Sequence, residues 1–302
     1  GLGIMDSARI EGIRVYCGDG ATAELARSVD ADIVLVSTVG LSGLAPVLAA
    51  IDSGKTVALA TKEVLVAAGE LVMARAKARG VRILPVDSEH SAIFQCMGEG
   101  REIDTLTLTA SGGPFLDAPE NLDDVTVEMA LDHPRWKMGP KVTIDSATMM
   151  NKGFEIMEAR WLFNCGVERI RTVVHPESVI HSLVTFSDGA TLAQLSPPDM
   201  RIPIQYAFTW PARIPSRRAV LDLAAIGKLT FRETDEARFP CLRLAREACA
   251  AGGTAPAVLS AADEVAVRRF LDGEIRFTDI ARTVEKALAA VPVRPADKLE
   301  NI

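Results

Sequence analysis

The stretch Asp87-Ser88-Glu89-His90 crowds two carboxylates, a hydroxyl and an imidazole into four residues directly after the apolar run Val81 to Val86. Ligand sites of α/β folds lie beyond the carboxyl ends of strands, so polarity at this point has chemical meaning as well as the plainer one of a solvated loop. A further acid, Glu155, lies in the segment IDSATMMNKGFEIMEARW. Carboxylates with no clustered cysteine or histidine suit a hard divalent cation such as Mg²⁺ or Mn²⁺, which takes oxygen ligands. The competing reading is that these acids are solvated at a strand end and on a helix surface.

The SATMMNKGFE segment offers more than an acid. Ser146 reads as the N-cap of a helix running through Phe163, where unpaired N–H groups favour an anion. Asn151 and Glu155 are four apart on one face with Lys152 alongside, giving a phosphate cradle and a metal carboxylate on one element. Gly153 costs the helix about 1 kcal/mol against alanine, which implies a close approach there. The plainer alternative is a capped helix with a Lys152–Glu155 ion pair. Ser111-Gly112-Gly113-Pro114 follows a strand and reads either as an anion-binding nest or as an ordinary turn. The loop His133 to Gly139 holds a histidine, an indole and a thioether, and would fold over a ligand or simply pack Trp136 on a neighbour. His175 and His181 read as structural strand histidines, and His90 falls outside the site.

These residues need a frame. ADIVLVSTVG, LSGLAPVLAAIDSG, KTVALATKE and VRILPV alternate short apolar runs with helical patterns, the punctuation of a parallel sheet with crossover helices. Leu65, Ala68, Leu71, Val72 and Ala76 place a helix over 62–79 with Gly80 as its stop. DTLTLTA and KVTID read as strands, and VIHSLVTF with ATLAQLS as a hairpin turning at Asp188-Gly189. CLRLAREACAAGG, APAVLSAADEVAVRRFLDG and RFTDIARTVEKALAA are three helical patterns. The fold class is α/β: a partial Rossmann-like parallel-sheet domain (1–86), a central α+β catalytic domain (87–209), a connector (210–235) and a C-terminal helical bundle (236–302).

Composition narrows the partners. With 33 basic and 40 acidic residues the net charge is −7, and no basic block tracks a nucleic-acid backbone. No apolar run approaches the roughly 20 residues that span a bilayer, so neither a nucleic acid nor a membrane is expected as a partner. Five scattered cysteines form no C-x-x-C pair, which argues against a disulfide framework or a zinc ribbon.

Taken in order, LATKEVLV, PVDSEHSAIFQ, TASGGPF, DHPRWKMGPKVTIDSATMMNKGFEIMEARWLF, HPESVIHS and FPCLRLA closely resemble the 1-deoxy-D-xylulose 5-phosphate reductoisomerase family across nearly the whole chain. The resemblance implies an NADPH-dependent oxidoreductase with a divalent metal (Mg²⁺, Mn²⁺ or Co²⁺), acting on a small sugar phosphate in non-mevalonate isoprenoid biosynthesis. It assigns Asp87, Glu89 and Glu155 to the metal, and Lys62, Glu89 and His133 to catalysis. Ser88, Ser111, Ser146, Asn151 and Lys152 join Lys62, Glu89, His133 and Glu155 as substrate contacts, and Glu63 and Gly139 are its cofactor contacts. It further implies a homodimer in the bacterial cytoplasm, with a plastid as the other home. A related metal-dependent sugar-phosphate dehydrogenase or aldolase, or a non-catalytic sugar-phosphate-binding remnant, are the alternatives. Two departures stand out. The family's glycine-rich dinucleotide loop and its terminal helix have no counterpart in residues 1–302, which implies a partial chain that binds NADPH poorly. Thr61 stands where the family more often has asparagine, which puts one cofactor contact in question.

Overall fold

Residues 9–10, 13–98, 102–117, 121–217 and 220–302 are described in the computed structural model; the unit expected over 1–86 therefore begins outside them, and the connector loses 218–219. A short antiparallel pair, β1 (Arg9–Ile10) and β2 (Ile13–Arg14), and α1 (Ala21–Ser28) come first. Then β3 (Ile33–Val36), α2 (Leu44–Asp52), β4 (Thr56–Leu59), α3 (Lys62–Arg79) and β5 (Ile83–Pro85) wind into a parallel sheet of order β3-β4-β5. Its apolar runs are buried as crossover topology demands, with Val36, Val57, Leu59, Val47, Ile51 and Leu65 in one core. Helix α3 has the expected bounds and ends at Gly80, whose φ of 64° is the left-handed stop that glycine supplies.

The polar stretch after β5 opens a helix that its composition conceals, α4 (Ser88–Met97), capped by the Asp87 carboxylate, which accepts from Glu89 N at 3.1 Å. Next come β6 (Ile103–Ala110), α5 (Val127–Leu131), α6 (Pro140–Ala147), α7 (Met150–Leu162), β7 (Ile170–Val174), β8 (Ile180–Phe186) and β9 (Thr191–Leu195). They form a mixed sheet of order β7-β6-β8-β9, in which β8 and β9 are the expected hairpin. Helices α8 (Arg201–Thr209) and α9 (Leu223–Ile226) lead to α10 (Pro240–Ala251), α11 (Ala255–Leu271) and α12 (Phe277–Ala290). The three terminal helices share a continuous core with α4, β6 and α7 through Ile93, Leu106, Phe154, Leu242, Leu259 and Ile280.

Two expectations change here. KVTID is helical, part of α6. Its β-branched run suggested a strand, but Gly139 and Pro140 are a natural helix start, and Lys141 closes an i,i+4 pair with Asp145 at 2.6 Å. Ser146 is consequently not an N-cap; it lies in the last turn of α6, and α7 begins only after Met149, a left-handed residue with φ of 63°. Gly153 does have the close approach expected of it, against α10, because a Cβ there would strike Ala245. Gly69 does the same where α3 crosses α7, since its Cβ would run into the Trp161 indole, and α3 is kinked next to it at Ala68. These two crossings set α3, α7 and α10 at fixed depth.

Candidate active site

Three elements deliver charge to one point. Asp87 caps α4, Glu89 follows in its first turn, and Glu155 stands midway along α7; one carboxylate oxygen from each lies within 4.8 Å of the others. From the first turn of α3, Lys62 Nζ donates to Asp87 Oδ2 at 3.0 Å and to Asn151 Oδ1 at 2.6 Å, and lies 3.5 Å from Glu155 Oε1. Asn151 Nδ2 donates to Glu155 Oε1 at 2.6 Å, Lys152 pairs with Glu155 Oε2, and Ser88 Oγ donates to Glu89 Oε2 at 2.7 Å. The ion pair set out above as the plainer reading of the helix is thus present, but as part of a larger network.

The electrostatics separate the three acids. Burial pushes the Asp87 carboxyl up, but Lys62 and His90 together hold it well below the usual range. Burial raises Glu89 to about 8; Lys152 pulls it down, while Glu155 and Asp87 push the same way as burial. Burial disfavours the Lys62 ammonium, yet Asp87, Glu155 and Glu158 keep it firmly charged. An all-oxygen set with a common focus, one member driven toward its neutral form by burial and by the other two, fits a hard divalent cation.

Behind this set lie two residues that the sequence did not single out as functional. His90 is fully buried, with Nδ1 at 3.0 Å from Asp87 Oδ1 and Nε2 at 2.9 Å from the Glu155 carbonyl oxygen. Both ring nitrogens face acceptors, so the ring is the imidazolium; burial works against that charge, but Glu158 and Asp87 raise it to about 9. Asp87, His90 and Glu158 also converge within 4.8 Å, but an imidazolium has no lone pair for a metal, so that cluster is a support for the first. No spacing signal marks Glu158, which only the fold brings under Asp87.

The acids form one end of a cavity of about 290 Å³. Lys62, Asp87, Ser88, Glu89, Ser111, His133, Ser146, Asn151, Lys152 and Glu155 all line it, whereas Glu63 and Gly139 do not. Glu63 is half-buried in the first turn of α3, and Gly139 is the exposed N-cap of α6. Also on the lining, Ser111 is hydrogen-bonded to His133 Nε2 at 3.0 Å. His133 Nδ1 accepts from Arg135 N and Trp136 N at 3.2 and 2.9 Å, so the ring proton sits on Nε2 and is donated to Ser111 Oγ. Burial lowers the His133 pKa, which keeps the ring neutral. Gly112 and Gly113 have φ of 87° and 65°, and a Cβ on Gly113 would come within 3.0 Å of the Ser146 carbonyl oxygen, so this turn is fitted against the end of α6. His181, set aside as structural, also lines the cavity; its Nε2 is 3.1 Å from the Ser196 carbonyl oxygen and its ring meets Trp136 edge-on. Ser178 and Met200 complete the wall without any local signal in their sequence.

Comparison with known proteins agrees along the chain. Residues 5–69 match a family model described as 1-deoxy-D-xylulose 5-phosphate reductoisomerase, 83–163 the C-terminal domain of the same enzyme, and 195–302 the DXP reductoisomerase C-terminal domain. The chain is 53% identical over 297 residues to 1-deoxy-D-xylulose 5-phosphate reductoisomerase of Pseudomonas syringae pv. tomato, covering 96% of this chain and 75% of that protein. It is 52% identical over 292 residues to the enzyme of the same name from Moorella thermoacetica, covering 96% and 76%. A crystal structure of DOX-P reductoisomerase in complex with NADPH, fosmidomycin and magnesium superposes with a TM-score of 0.88 at 45% identity, covering 90% of this chain and 70% of the other. The Zymomonas mobilis reductoisomerase in complex with NADPH gives 0.86 at 45% identity, covering 93% and 73%.

Proposed function

Because this chain belongs to the 1-deoxy-D-xylulose 5-phosphate reductoisomerase family, we propose that its cavity is where that sugar phosphate is held, rearranged and reduced. The reaction is the NADPH- and divalent-metal-dependent conversion of 1-deoxy-D-xylulose 5-phosphate to 2-C-methyl-D-erythritol 4-phosphate in non-mevalonate isoprenoid biosynthesis. The observation that carries the site is the juxtaposition on α7: Glu155 joins Asp87 and Glu89 at one end of the cavity, while Asn151 and Lys152 face it one turn earlier.

Asp87, Glu89 and Glu155 would hold the cation, Mg²⁺, Mn²⁺ or Co²⁺, and His90 and Glu158 fix the first and last of these from behind. When bound, the cation supplies Lewis acidity toward the substrate's ketone and adjacent hydroxyl oxygens. Ser88, between two of the acids, hydrogen-bonds the substrate beside that point. Lys62 stays charged and is held by Asp87 and Asn151, so it orients the reacting end without serving as a proton acceptor. Ser111, Ser146, Asn151 and Lys152 bind the phosphate, keeping the two pieces in register while a carbon–carbon bond breaks and re-forms. When bound, NADPH would supply the hydride that reduces the resulting aldehyde. His133 closes this end: its Nε2–H, now given to Ser111, is a donor that a phosphate oxygen can take over. Strands β4 and β5 end just before Ala60, Lys62 and Asp87, which line the cavity, and parallel-sheet domains take dinucleotides beyond the carboxyl ends of their strands. Glu63 and Gly139 are assigned to the cofactor. Thr61, in place of the commoner asparagine, is turned to the segment after β3, donating to the Thr38 carbonyl at 2.6 Å.

The rest of the reading is a homodimer in the bacterial cytoplasm. It is supported by bacterial relatives, by the half-exposed edge strand β9 with Leu192, and by the lack of any helix among the described residues long and apolar enough to cross a membrane. Sedimentation velocity reads the dimer directly. The activity is tested by following NADPH absorbance in the full-length protein with Mn²⁺ and deoxyxylulose phosphate beside other pentose and hexose phosphates. Oxidation with deoxyxylulose phosphate alone is expected; equal oxidation with another sugar phosphate would move the assignment to a related dehydrogenase, and metal or sugar-phosphate binding without oxidation to a non-catalytic remnant.

A further inference from the structure

A second buried charge cluster lies behind the phosphate end and plays no part in the chemistry above. Lys141 Nζ is 2.6 Å from Asp145 Oδ2 on its own helix, α6, and 2.6 Å from Asp263 Oδ2 on α11. Asp145 and Asp263 are 2% and 0% exposed, so neither charge is solvated. Their other oxygens, Asp145 Oδ1 and Asp263 Oδ1, are buried and find no donor among the described residues. The other groups facing the cluster bring no compensating charge. Cys241 of α10 is kept a neutral thiol by burial and by the two acids, and the Phe154 ring of α7 lies 4.7 Å from the ammonium. One ammonium against two ionised carboxylates would leave a net buried charge, which is costly; a single proton restores neutrality and supplies a donor to an orphan oxygen. In keeping with this, burial and Asp263 hold the Asp145 carboxyl well above the ordinary range, against the pull of Lys141.

We propose that Asp145 and Asp263 hold one proton between them and, with Lys141, form a neutral clasp that fixes α6 against α11 and thereby sets Ser146 on the phosphate wall of the cavity. Ser146 is the residue after Asp145, in the last turn of α6, and its carbonyl is already fitted against Gly113 from the other side. Asp145, Asp263 and Lys141 are therefore positioning residues for the phosphate. The proposal rests on the reading of Ser146 as a phosphate contact.

Infrared difference spectra of the whole chain, wild type minus Asp145→Asn and wild type minus Asp263→Asn, test the proton. Both should show the carbonyl stretch of a protonated carboxylic acid lost from the wild type, since either asparagine leaves one aspartate paired with Lys141. Its absence from either difference spectrum overturns the shared proton. Calorimetric titration with deoxyxylulose phosphate in Mn²⁺ tests the positioning. Asp263→Ala should weaken binding about tenfold, the size of one charge-assisted hydrogen bond, and Asp263→Asn should restore it. Binding of dephosphorylated deoxyxylulose should be unchanged. Unaltered affinity in Asp263→Ala, or an equal loss for both sugars, overturns the positioning role. Should Asp263→Ala not fold, Asp263→Ser carries the same comparison. If Ser146→Ala binds as the wild type does, the phosphate reading of Ser146 fails, and with it the positioning role, while the infrared arm still decides the proton.

Discussion

Two buried clusters in this molecule are made of the same parts and do different work. At the front, Asp87, Glu89 and Glu155 meet Lys62 and Lys152 on the wall of a cavity; at the rear, Asp145 and Asp263 meet Lys141 between two helices. The rear acids converge on one ammonium, which already occupies their focus. The front acids bring one oxygen each within 4.8 Å of one another; Lys62 reaches two of them, Asp87 at 3.0 Å and Glu155 at 3.5 Å, and the whole set lines a cavity large enough for a ligand. Residue type alone does not separate a binding site from a clasp; the separating features are a third carboxylate in the set and access from a cavity.

The largest test of this contrast is Glu155→Gln. It removes a charge from the front focus but keeps the shape of α7, so Mn²⁺-dependent NADPH oxidation by the full-length protein with deoxyxylulose phosphate should fall by about 10³-fold or more, equivalent to ~4 kcal/mol of barrier. Far-ultraviolet circular dichroism should be unchanged. An active Glu155→Gln protein would remove Glu155 from the metal set and the front cluster would lose its special standing.

The converse substitution at the rear is Lys141→Met. It leaves two buried acids without their cation, and breaking a buried pair from one side costs about 3 kcal/mol or more. The denaturation midpoint should drop accordingly, whereas Mn²⁺ affinity, read by calorimetry on the folded fraction, should not. Loss of metal affinity with little loss of stability would reverse the roles assigned to the two clusters.

The third test concerns what holds the front together. Gly153→Ala forces a methyl into Ala245, and overpacking of this kind costs roughly 1–3 kcal/mol. Because α7 carries Asn151, Lys152 and Glu155, the variant should also bind Mn²⁺ more weakly than its loss of stability alone explains. A fully stable Gly153→Ala protein would show that α7 and α10 have slack at their crossing.

That crossing also marks a limit of what one sequence discloses. Local signals carry the parallel βαβ order, the bounds of α3 at Lys62 and Gly80, the β8–β9 hairpin and the three terminal helices, because periodicity and turn residues act within a few positions. They mislead at KVTID, where three β-branched residues outweigh a Gly-Pro helix start, and the partner that pins that helix, Asp263, is far along the chain. Asp87 and Glu89 are legible as candidates because they follow a strand, but the residues alone leave a solvated loop and helix face open, and it is the resemblance that joins Glu155 to them. Their supports are not legible: His90, Glu158 and His181 look like any buried polar residue until the fold shows what each ring or carboxyl faces. Gly153 could be seen as an anomaly, but only α10 explains it.

The smallest effect belongs to a third arrangement of the same charges, at the surface. Asp279 opens α12, accepting from Arg282 at 2.8 Å and from Arg276 N and Nε at 3.1 and 3.2 Å. The Arg282 and Arg276 hydrogen bonds hold its carboxyl down to about 2, from an ordinary 3.8. The folded pKa is depressed, so its contribution is complete above 3.8 and is lost as pH falls through about 2. Solvent screens the pair, and Asp279→Asn at neutral pH should lower the midpoint of thermal unfolding by only about 1 °C. Adding 1 M salt should erase most of that difference, since exposed ion pairs are screened, but should leave the Lys141→Met deficit in place. If salt removes both deficits alike, the rear cluster is as open to solvent as the surface pair, and its separation from the front cluster must be found in something other than burial.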